Sequence, residues 1–567
     1  MLLFMVFTLF VGLIGYRLVS VQVLRSGEFE QRAVDERLQD EALPARRGEI
    51  YDARGLRLAA NVPANRVSAI VDQVTDKHGA AEQLAPLIGR SAQDIEDALN
   101  QPAVEWVTLA RQLDPDAAAA VRELNLAGIV FEAEPSRTYP FGALASQVLG
   151  FTNNDLQGVY GVEGEYNQII GGQPGKLVGE RDGQGNVIGL SPSVWDAPRD
   201  GSAVTLTLDT AVQQIIEDVL QKTVTAHQAL GGTIIVQDPS TGAILGMASL
   251  PSFDPNNRAA VSDASVYNNP AISSVYEPGS TFKTIVMSIG IDDGVVTPDT
   301  IHNDAPGYVV TADGQYITNN EGHTWGNETM WQVLERSTNL GAIFVAGKIG
   351  RERFYERLKE FGIGAPTGVD LQGEADGIVC MPSTSGCWND TLFYTNPFGQ
   401  GIAVTPLQLV NAVSAIINGG KLMRPYAVAR ISGPDGQPPQ ETQPQVVRQV
   451  ISEQSSATMR AMLEAVVDSG TGTFAAIPGY RIGVKTGTAQ IPAPDGGYIP
   501  NATIASIVGF GPVENPRFTV LVKIDWPKDS PWGETVAGPA VAEVLQRLFQ
   551  LYGIAPSDPA AFEQSQP

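Results

Sequence analysis

Tyr276-Glu277-Pro278-Gly279-Ser280-Thr281-Phe282-Lys283 is the stretch on which the reading of this chain turns. Ser280 is the only serine followed by a lysine three positions later. On a helix that spacing sets both side chains on one face, a turn apart. A serine hydroxyl attacks poorly until a base removes its proton, and a lysine at this distance is such a base when its ammonium is kept neutral. Pro278-Gly279 and the apolar spacing of Phe282, Ile285, Val286 and Ile289 predict an amphipathic helix beginning near Ser280. Its N-terminal dipole favours negative charge at the hydroxyl. S-x-x-K alone also occurs by chance, and a solvated lysine on a capped helix is the ordinary alternative.

Two further signals change the balance. Ser337-Thr338-Asn339 is the single S-x-N and Lys485-Thr486-Gly487 the single K-[ST]-G. They follow Ser280 in the order of the serine–lysine acyl-transfer enzymes. One of these alone would be a helix cap or a strand end; three in order point to one cleft.

The rest of the composition narrows the field. A chain of 567 residues exceeds a single core and predicts two or three domains. With 43% apolar and 17% charged residues it is globular. A net charge of −25 argues against nucleic acid and against an anionic membrane surface as partners. The four histidines, His78, His227, His302 and His323, lack zinc-site spacing, and no G-x-S-x-G surrounds Ser280. No metal site is therefore expected, nor is Ser-His-Asp catalysis. Gly183, Gly185 and Gly189 do not fit a dinucleotide loop. Cys380 and Cys387 are the only cysteines; in an exported chain they close a small disulfide loop, the alternative being two unpaired thiols.

Residues 1–16 carry no charge, and the apolar run continues through Leu24 with Arg17 snorkelling. No small-x-small cleavage site follows, so an uncleaved anchor over 1–24 is expected. The chain starts inside this run, so flanking charge does not set its orientation. Residues 27–42 read as polar and helix-prone. Residues 57–200 alternate strands with helical pieces at 79–99 and 115–125, and offer no acid, base and nucleophile constellation. From Ala203 the pattern is strand, helix from Asp209, hairpin (232–238 and 243–248), long helical patterns, a second hairpin (503–511 and 517–525) and a last helix near 536–550. That order predicts an antiparallel sheet flanked by helices on both faces. An exposed loop is expected at 432–445 and a disordered tail at 555–567.

At this point the chain resembles the class B penicillin-binding proteins over nearly its whole length. Beyond the three motifs, Phe398-Gly399-Gln400-Gly401, Val404-Thr405-Pro406-Leu407-Gln408-Leu409 and Lys485-Thr486-Gly487-Thr488-Ala489-Gln490 carry the resemblance. So do Arg47-Gly48, Tyr51-Asp52 and Gly158–Gly164, which resemble that family's pedestal. Glu277, Thr486 and the Phe-Gly-Gln-Gly-Ile wording are closer to the septal branch than to the elongation branch. Nothing before Ala203 has glycosyltransferase motifs, which speaks against the bifunctional class A members.

The resemblance implies an α+β multidomain protein: anchor 1–24, elongated α/β pedestal 25–200, serine β-lactamase-like transpeptidase domain 201–554, and tail 555–567. It implies that Ser280 attacks the D-Ala-D-Ala bond of a peptidoglycan stem peptide, with Lys283 as base and Ser337 relaying protons between Lys283, Lys485 and the leaving amine. Asn339, Thr486, Gly487 and Thr488 are the expected substrate contacts. Gly487 is read as a position where a Cβ would stand in the cleft, the alternative being a simple bulge glycine, and the backbone N–H groups of Ser280 and Thr488 as the oxyanion hole. For Trp325 and Tyr394 core packing is preferred to lining the cleft, and for Gly399 and Gly401 turn geometry is preferred to chemistry. No cofactor is implied. The implied partners are stem peptides, β-lactams, the lipid bilayer and a polytopic glycan-polymerising membrane protein, with the catalytic domain outside the cell membrane. The weighed alternatives are an elongation-type transpeptidase, a D,D-carboxypeptidase or β-lactamase using the same acyl-enzyme, and a non-catalytic penicillin sensor or division scaffold.

Overall fold

The computed structural model describes residues 1–27, 38–180, 194–383, 386–434, 436 and 438–565. The chain forms two compact units, each assembled from separated segments. The smaller comprises Met1–Gly48, Gln168–Ser202 and Gly433–Gln437. It opens with a helix over Leu2–Val19, continued by one wider turn over Ser20–Leu24. Its stretch Leu3–Leu24 is 22 residues long with a mean hydropathy of 1.9, and none of it is buried. At 1.5 Å per residue this reaches about 33 Å, enough to cross a hydrocarbon core. The expected helix-prone segment 27–42 is corrected in part: Leu38–Leu43 is a strand, antiparallel to Gly175–Glu180, which pairs in turn with Val194–Asp196. The other part, 28–37, lies outside the described residues.

The larger unit comprises Glu49–Asn167, Ala203–Ser432 and Pro438–Pro567. Its N-terminal part is built on one long strand, Arg57–Ile70, which pairs antiparallel with Ile129–Thr138 and with Trp106–Leu113. Helices Lys77–Ile88, Ala92–Leu99 and Pro115–Glu123 start on the side-chain caps Asp76, Ser91 and Asp114. Val67, Ala69, Ala81, Leu84, Ile95 and Leu99 form the core beneath them. The Tyr51-Asp52 motif has a mechanical role. Asp52 accepts from the N–H groups of Arg54 and Leu56 in its own turn, and from the Thr210 N–H and hydroxyl at the start of the next domain's first helix. Arg137 and Glu163, both buried and 2.7 Å apart, fasten the Gly158–Gly164 run to the Ile129–Thr138 strand.

The transpeptidase-like part has a sheet of five strands: β1 (Gly231–Gln237), β2 (Ile244–Leu250), β3 (Gly483–Pro492), β4 (Tyr498–Gly511) and β5 (Phe518–Asp525), in spatial order β2-β1-β5-β4-β3. Every pairing is antiparallel, and both expected hairpins are present. The strands read as near-continuous apolar runs because both faces are covered. Helices α1 (Thr210–Ala226) and α6 (Gly538–Leu551) cover one face: a Cβ on Gly246 would touch Ile216, and one on Gly509 would touch Val541. Helices α4 (Pro406–Ile417) and α5 (Glu453–Ser469) cover the other, where Ser414 bonds Gln237 and Thr519 and a Cβ on Gly483 would approach Leu463. Strand β3, which carries Lys485-Thr486-Gly487-Thr488, is the sheet's edge.

Two expectations change here. The helix after Ser280 is not amphipathic: Gly279–Phe282 is a tight 3₁₀ turn, and α2 (Lys283–Asp292) is buried from Lys283 through Gly290. It is the central helix, packed among α3 (Asn339–Ile349), α4 and α5, so its polar residues face the interior. The tail expected to be disordered carries a helix, Pro559–Ser565, begun by Asp558, whose carboxylate accepts from the Ala560 and Ala561 N–H groups. Phe562 packs edge-on against Tyr480, which gives that segment an apolar anchor.

Candidate active site

The three motifs converge although they are far apart in sequence. Ser280 sits in the 3₁₀ turn, half-buried, and lines a solvent-open cleft of about 480 Å³ with Ser337, Asn339, Thr486 and Thr488. Lys283 lies one turn further along and is almost fully buried. Its Nζ donates to Ser337 O at 2.5 Å and Asn339 Oδ1 at 2.8 Å, with Ser337 Oγ at 3.4 Å. Lys485, fully buried on β3, donates from Nζ to Ser337 Oγ at 2.9 Å and to Thr486 O at 3.1 Å. Ser337 Oγ therefore stands between two lysine amines.

The local backbone explains how. Ser337 has φ +58°, a left-handed conformation uncommon for a side-chain-bearing residue outside a special site. That twist turns the chain sharply between the helix Met330–Glu335 and α3, so that the Ser337 carbonyl meets one amine and its hydroxyl the other. Asn339, the first residue of α3, uses both ends of its amide: Oδ1 on Lys283, and Nδ2 on Thr318 O at 3.0 Å. The expected substrate contact is thus also a brace for the lysine.

Burial sets the charges. Loss of water drives the Lys283 ammonium well below the usual lysine range, the Lys485 charge acts the same way, and Glu328 opposes them. Burial alone carries Lys485 down to about 7, with Glu534 opposing. A neutral amine at Lys283 has two N–H donors for Ser337 O and Asn339 Oδ1, and one lone pair left over.

The Ser280 turn is held by close backbone packing. Gly279 (φ +55°) donates to Gly399 O at 3.1 Å, and a Cβ on Gly399 would lie 2.1 Å from Gly279 O. The Phe398–Gly401 motif is therefore a glycine-permitted seat for this turn, and Gly401 N–H also donates to Glu277 at 2.9 Å. A Cβ on Gly279 would come within 2.8 Å of Thr488 O, so the turn abuts β3 at Thr488.

Gly487 requires a correction. A Cβ there would not enter the cleft; it would meet Ser506 Oγ at 2.7 Å, Thr281 Cγ2 at 2.8 Å and Pro278 O at 3.0 Å. The glycine lets the edge strand lie against the Ser280 turn. Thr486 shares a 2.9 Å hydrogen bond with Thr471, and Thr488 Oγ1 accepts from Gly533 N at 3.0 Å. Trp325 is corrected as well: it is exposed, with the Arg336 guanidinium 4.5 Å from its ring centre. Tyr394 is half-buried beside Phe393. Cys380 and Cys387 are bonded, with Cα atoms 5.6 Å apart, and neither lines the cleft.

Sequence reasoning missed several residues of the cleft wall: Thr471, Gln400, Gln490, Trp532 and Glu534. Gly470-Thr471-Gly472 carried a signal, a polar residue between glycines just after a long helix. Gln400 and Gln490 stand in the quoted Phe398–Gly401 and Lys485–Gln490 motifs without having been assigned to the cleft, and Trp532 and Glu534 lie in a segment whose approach to β3 is a tertiary fact.

Comparison with known proteins agrees with this architecture. Residues 232–546 match the model of the penicillin binding protein transpeptidase domain, and residues 42–206 that of the penicillin-binding protein dimerisation domain. Stage V sporulation protein D of Bacillus subtilis is 35% identical over 553 residues, covering 96% of this chain and 84% of that protein. The peptidoglycan D,D-transpeptidase FtsI of Escherichia coli is 31% identical over 520 residues, covering 90% of this chain and 84% of that protein. Among solved structures, penicillin binding protein 3 of Mycobacterium tuberculosis complexed with aztreonam superposes with a TM-score of 0.71 at 27% identity, covering 92% of this chain and 99% of that one. The chain belongs to the penicillin-binding proteins, in the class B arrangement of a dimerisation-type domain followed by a transpeptidase domain.

Proposed function

We propose that this protein is a peptidoglycan D,D-transpeptidase that cross-links stem peptides through an acyl-enzyme on Ser280, acting in the septal wall. The observation that carries the reading is the meeting of two buried amines, Lys283 and Lys485, on Ser337 beside a cleft that Ser280 lines. The Lys283 lone pair takes the Ser280 proton as Oγ attacks the carbonyl between the two D-alanines, a step of roughly 10²–10⁴-fold. The Ser337 hydroxyl, held by Lys485, passes its proton to the departing D-alanine amine and takes in exchange the one that Lys283 received, which returns Lys283 to the neutral amine. The amine of a second stem peptide then attacks the ester, forming the cross-link and freeing Ser280.

The N–H groups of Ser280 and Thr488 receive the oxyanion, a reading supported by the contact between the nucleophile's turn and β3; each such donor is worth about 10²–10³ in rate. Thr486 and Thr488 receive the terminal carboxylate with Lys485 supplying charge, and the edge strand β3 pairs with the extended peptide. Asn339 braces Lys283 and offers its remaining N–H to the substrate.

Leu3–Leu24 anchors the protein in the cell membrane by a single pass, with the domains 25–200 and 201–554 outside, where the Cys380–Cys387 bond is stable. The anchor and pedestal meet a polytopic glycan-polymerising membrane protein. The septal assignment is supported by the likeness to FtsI and by Glu277 and Thr486 in their motifs.

Labelling with a fluorescent penicillin followed by tryptic mapping tests the site. The adduct is expected on the peptide ending at Lys283 and should persist. Adduct elsewhere overturns the site, and release within seconds makes the protein a hydrolase.

A further inference from the structure

Between α2 and α3 the chain leaves a two-stranded hairpin, Tyr308–Val310 paired with Tyr316–Thr318. Its register is Tyr308 opposite Thr318 and Val310 opposite Tyr316. With a side-chain period of two, these four residues share one face, and Val309 and Ile317 share the other. The second face is the inward one: Ile317 is 9% exposed. The first is open, with Tyr308 at 42%, Val310 at 45% and Tyr316 at 69% exposure. The two tyrosine rings lie 5.1 Å apart, centre to centre.

This apolar face is continuous with the catalytic cleft. Thr318, on the same face, lines the cleft, and Tyr316 follows two residues along the strand, about 7 Å further out. The hairpin is fixed in place rather than loosely attached. Asn339 Nδ2 holds Thr318 O, Asn319 Oδ1 accepts from Leu340 N at 3.0 Å, and Thr391 ties the tip through Asp313 at 2.6 Å. Rigid, exposed rings at the mouth of a substrate cleft are an interaction surface in want of a ligand.

We propose that the outer face of this hairpin is a carbohydrate subsite that stacks the N-acetylhexosamine rings of the glycan strand to which a stem peptide is attached. It rests on the transpeptidase reading, because that substrate is a peptide covalently bound to sugar. A peptide held in the cleft brings its sugar to the rim, and the apolar C–H face of a pyranose matches an open tyrosine ring, while phenolic hydroxyls serve sugar hydroxyls at the edge. A neutral polymer also suits a strongly acidic chain, where a polyanion would be repelled.

The test uses the full-length protein in detergent and immobilised chitin strands, neutral N-acetylhexosamine polymers that carry no stem peptide. Wild-type protein should be retained by these strands, and Tyr308→Ala/Tyr316→Ala should bind about tenfold more weakly, with Tyr316→Trp restoring binding. Penicillin acylation of the double variant should keep its wild-type rate, because neither tyrosine lines the cleft. Equal retention of wild type and variant, or no retention of wild type, overturns the subsite. Loss of acylation together with glycan binding makes the hairpin a prop for α3, and loss of a protein partner with glycan binding intact makes it a protein-docking face; either result also overturns the proposal. Failure of the wild-type protein to acylate at all refutes the transpeptidase reading and leaves the glycan measurement standing on its own.

Discussion

Gly487→Ala puts the geometry of the Ser280 seat to a quantitative test. The added methyl would stand 2.7 Å from Ser506 Oγ, 2.8 Å from Thr281 Cγ2 and 3.0 Å from Pro278 O. The serine hydroxyl can swing away. The other two atoms cannot, because Thr281 is fully buried and its hydroxyl donates to Pro278 O at 2.7 Å, closing the turn on itself. The turn must therefore retreat from β3 by roughly half an ångström to regain ordinary contact. Overpacking of this kind costs about 1–3 kcal/mol of stability and a melting temperature a few degrees lower. The larger effect is kinetic: a displacement of about 1 Å at a reacting atom costs on the order of 10²-fold, so penicillin acylation should fall about 10–100-fold. Stopped-flow acylation gives the rate and calorimetry the stability. Thr281→Ser keeps the hydroxyl and removes the obstructing methyl, so the double variant should recover part of the rate. Wild-type acylation by Gly487→Ala, with a defect only in the Km for stem peptide, would show that the glycine faces substrate and refute the packing argument.

Three further outcomes follow from the same structure. Ser337→Ala removes the hydroxyl shared by the two amines and should slow acylation about 10²–10³-fold with an unchanged circular dichroism spectrum; an unaltered rate would dismiss the relay. Lys485 is held near 7 in the fold against 10.5 when free, so between those values the unfolded chain binds more protons and stability rises with pH. The melting-temperature advantage of Lys485→Met over wild type should therefore shrink as pH is raised from about 7 to about 10, and a pH-independent difference would contradict a buried amine that loses its proton near 7. Cys380→Ser/Cys387→Ser opens a short loop and should cost about 2 kcal/mol with acylation unchanged, since neither cysteine lines the cleft. Equal stability of the variant and the oxidised protein would show that the bond constrains nothing.

Much of this architecture was legible in the chain because it is written in local chemistry. Alternating apolar runs around Pro239–Gly242 and Asn515–Pro516 gave both hairpins, and Asp209 marked a helix start by its side-chain cap. The order of Ser280, Ser337 and Lys485 was legible for the same reason: the three motifs are short, single and made of residue types with few other uses together. What failed were statements about surroundings. The Lys283 helix read as amphipathic because its polar residues were assumed to face water, whereas they face the interior among three other helices. Trp325 read as core because it is large and aromatic, and Gly487 as cleft-facing because its neighbours are.

The sequence by itself thus singled out which groups meet at the cleft: a serine, two lysines, a second serine, an asparagine and the edge strand that carries the last motif. Tertiary structure alone decided what those groups are chemically. An amine becomes a base only when water is removed around it and a second amine is brought to the same hydroxyl, and no spacing along the chain encodes that burial. Ser337 and Lys485 are 148 positions apart in sequence and 2.9 Å apart in the fold. That proximity, imposed by seating the Ser280 turn against the edge strand β3 while α2 and α3 pack on each other, brings scattered motifs to one cleft.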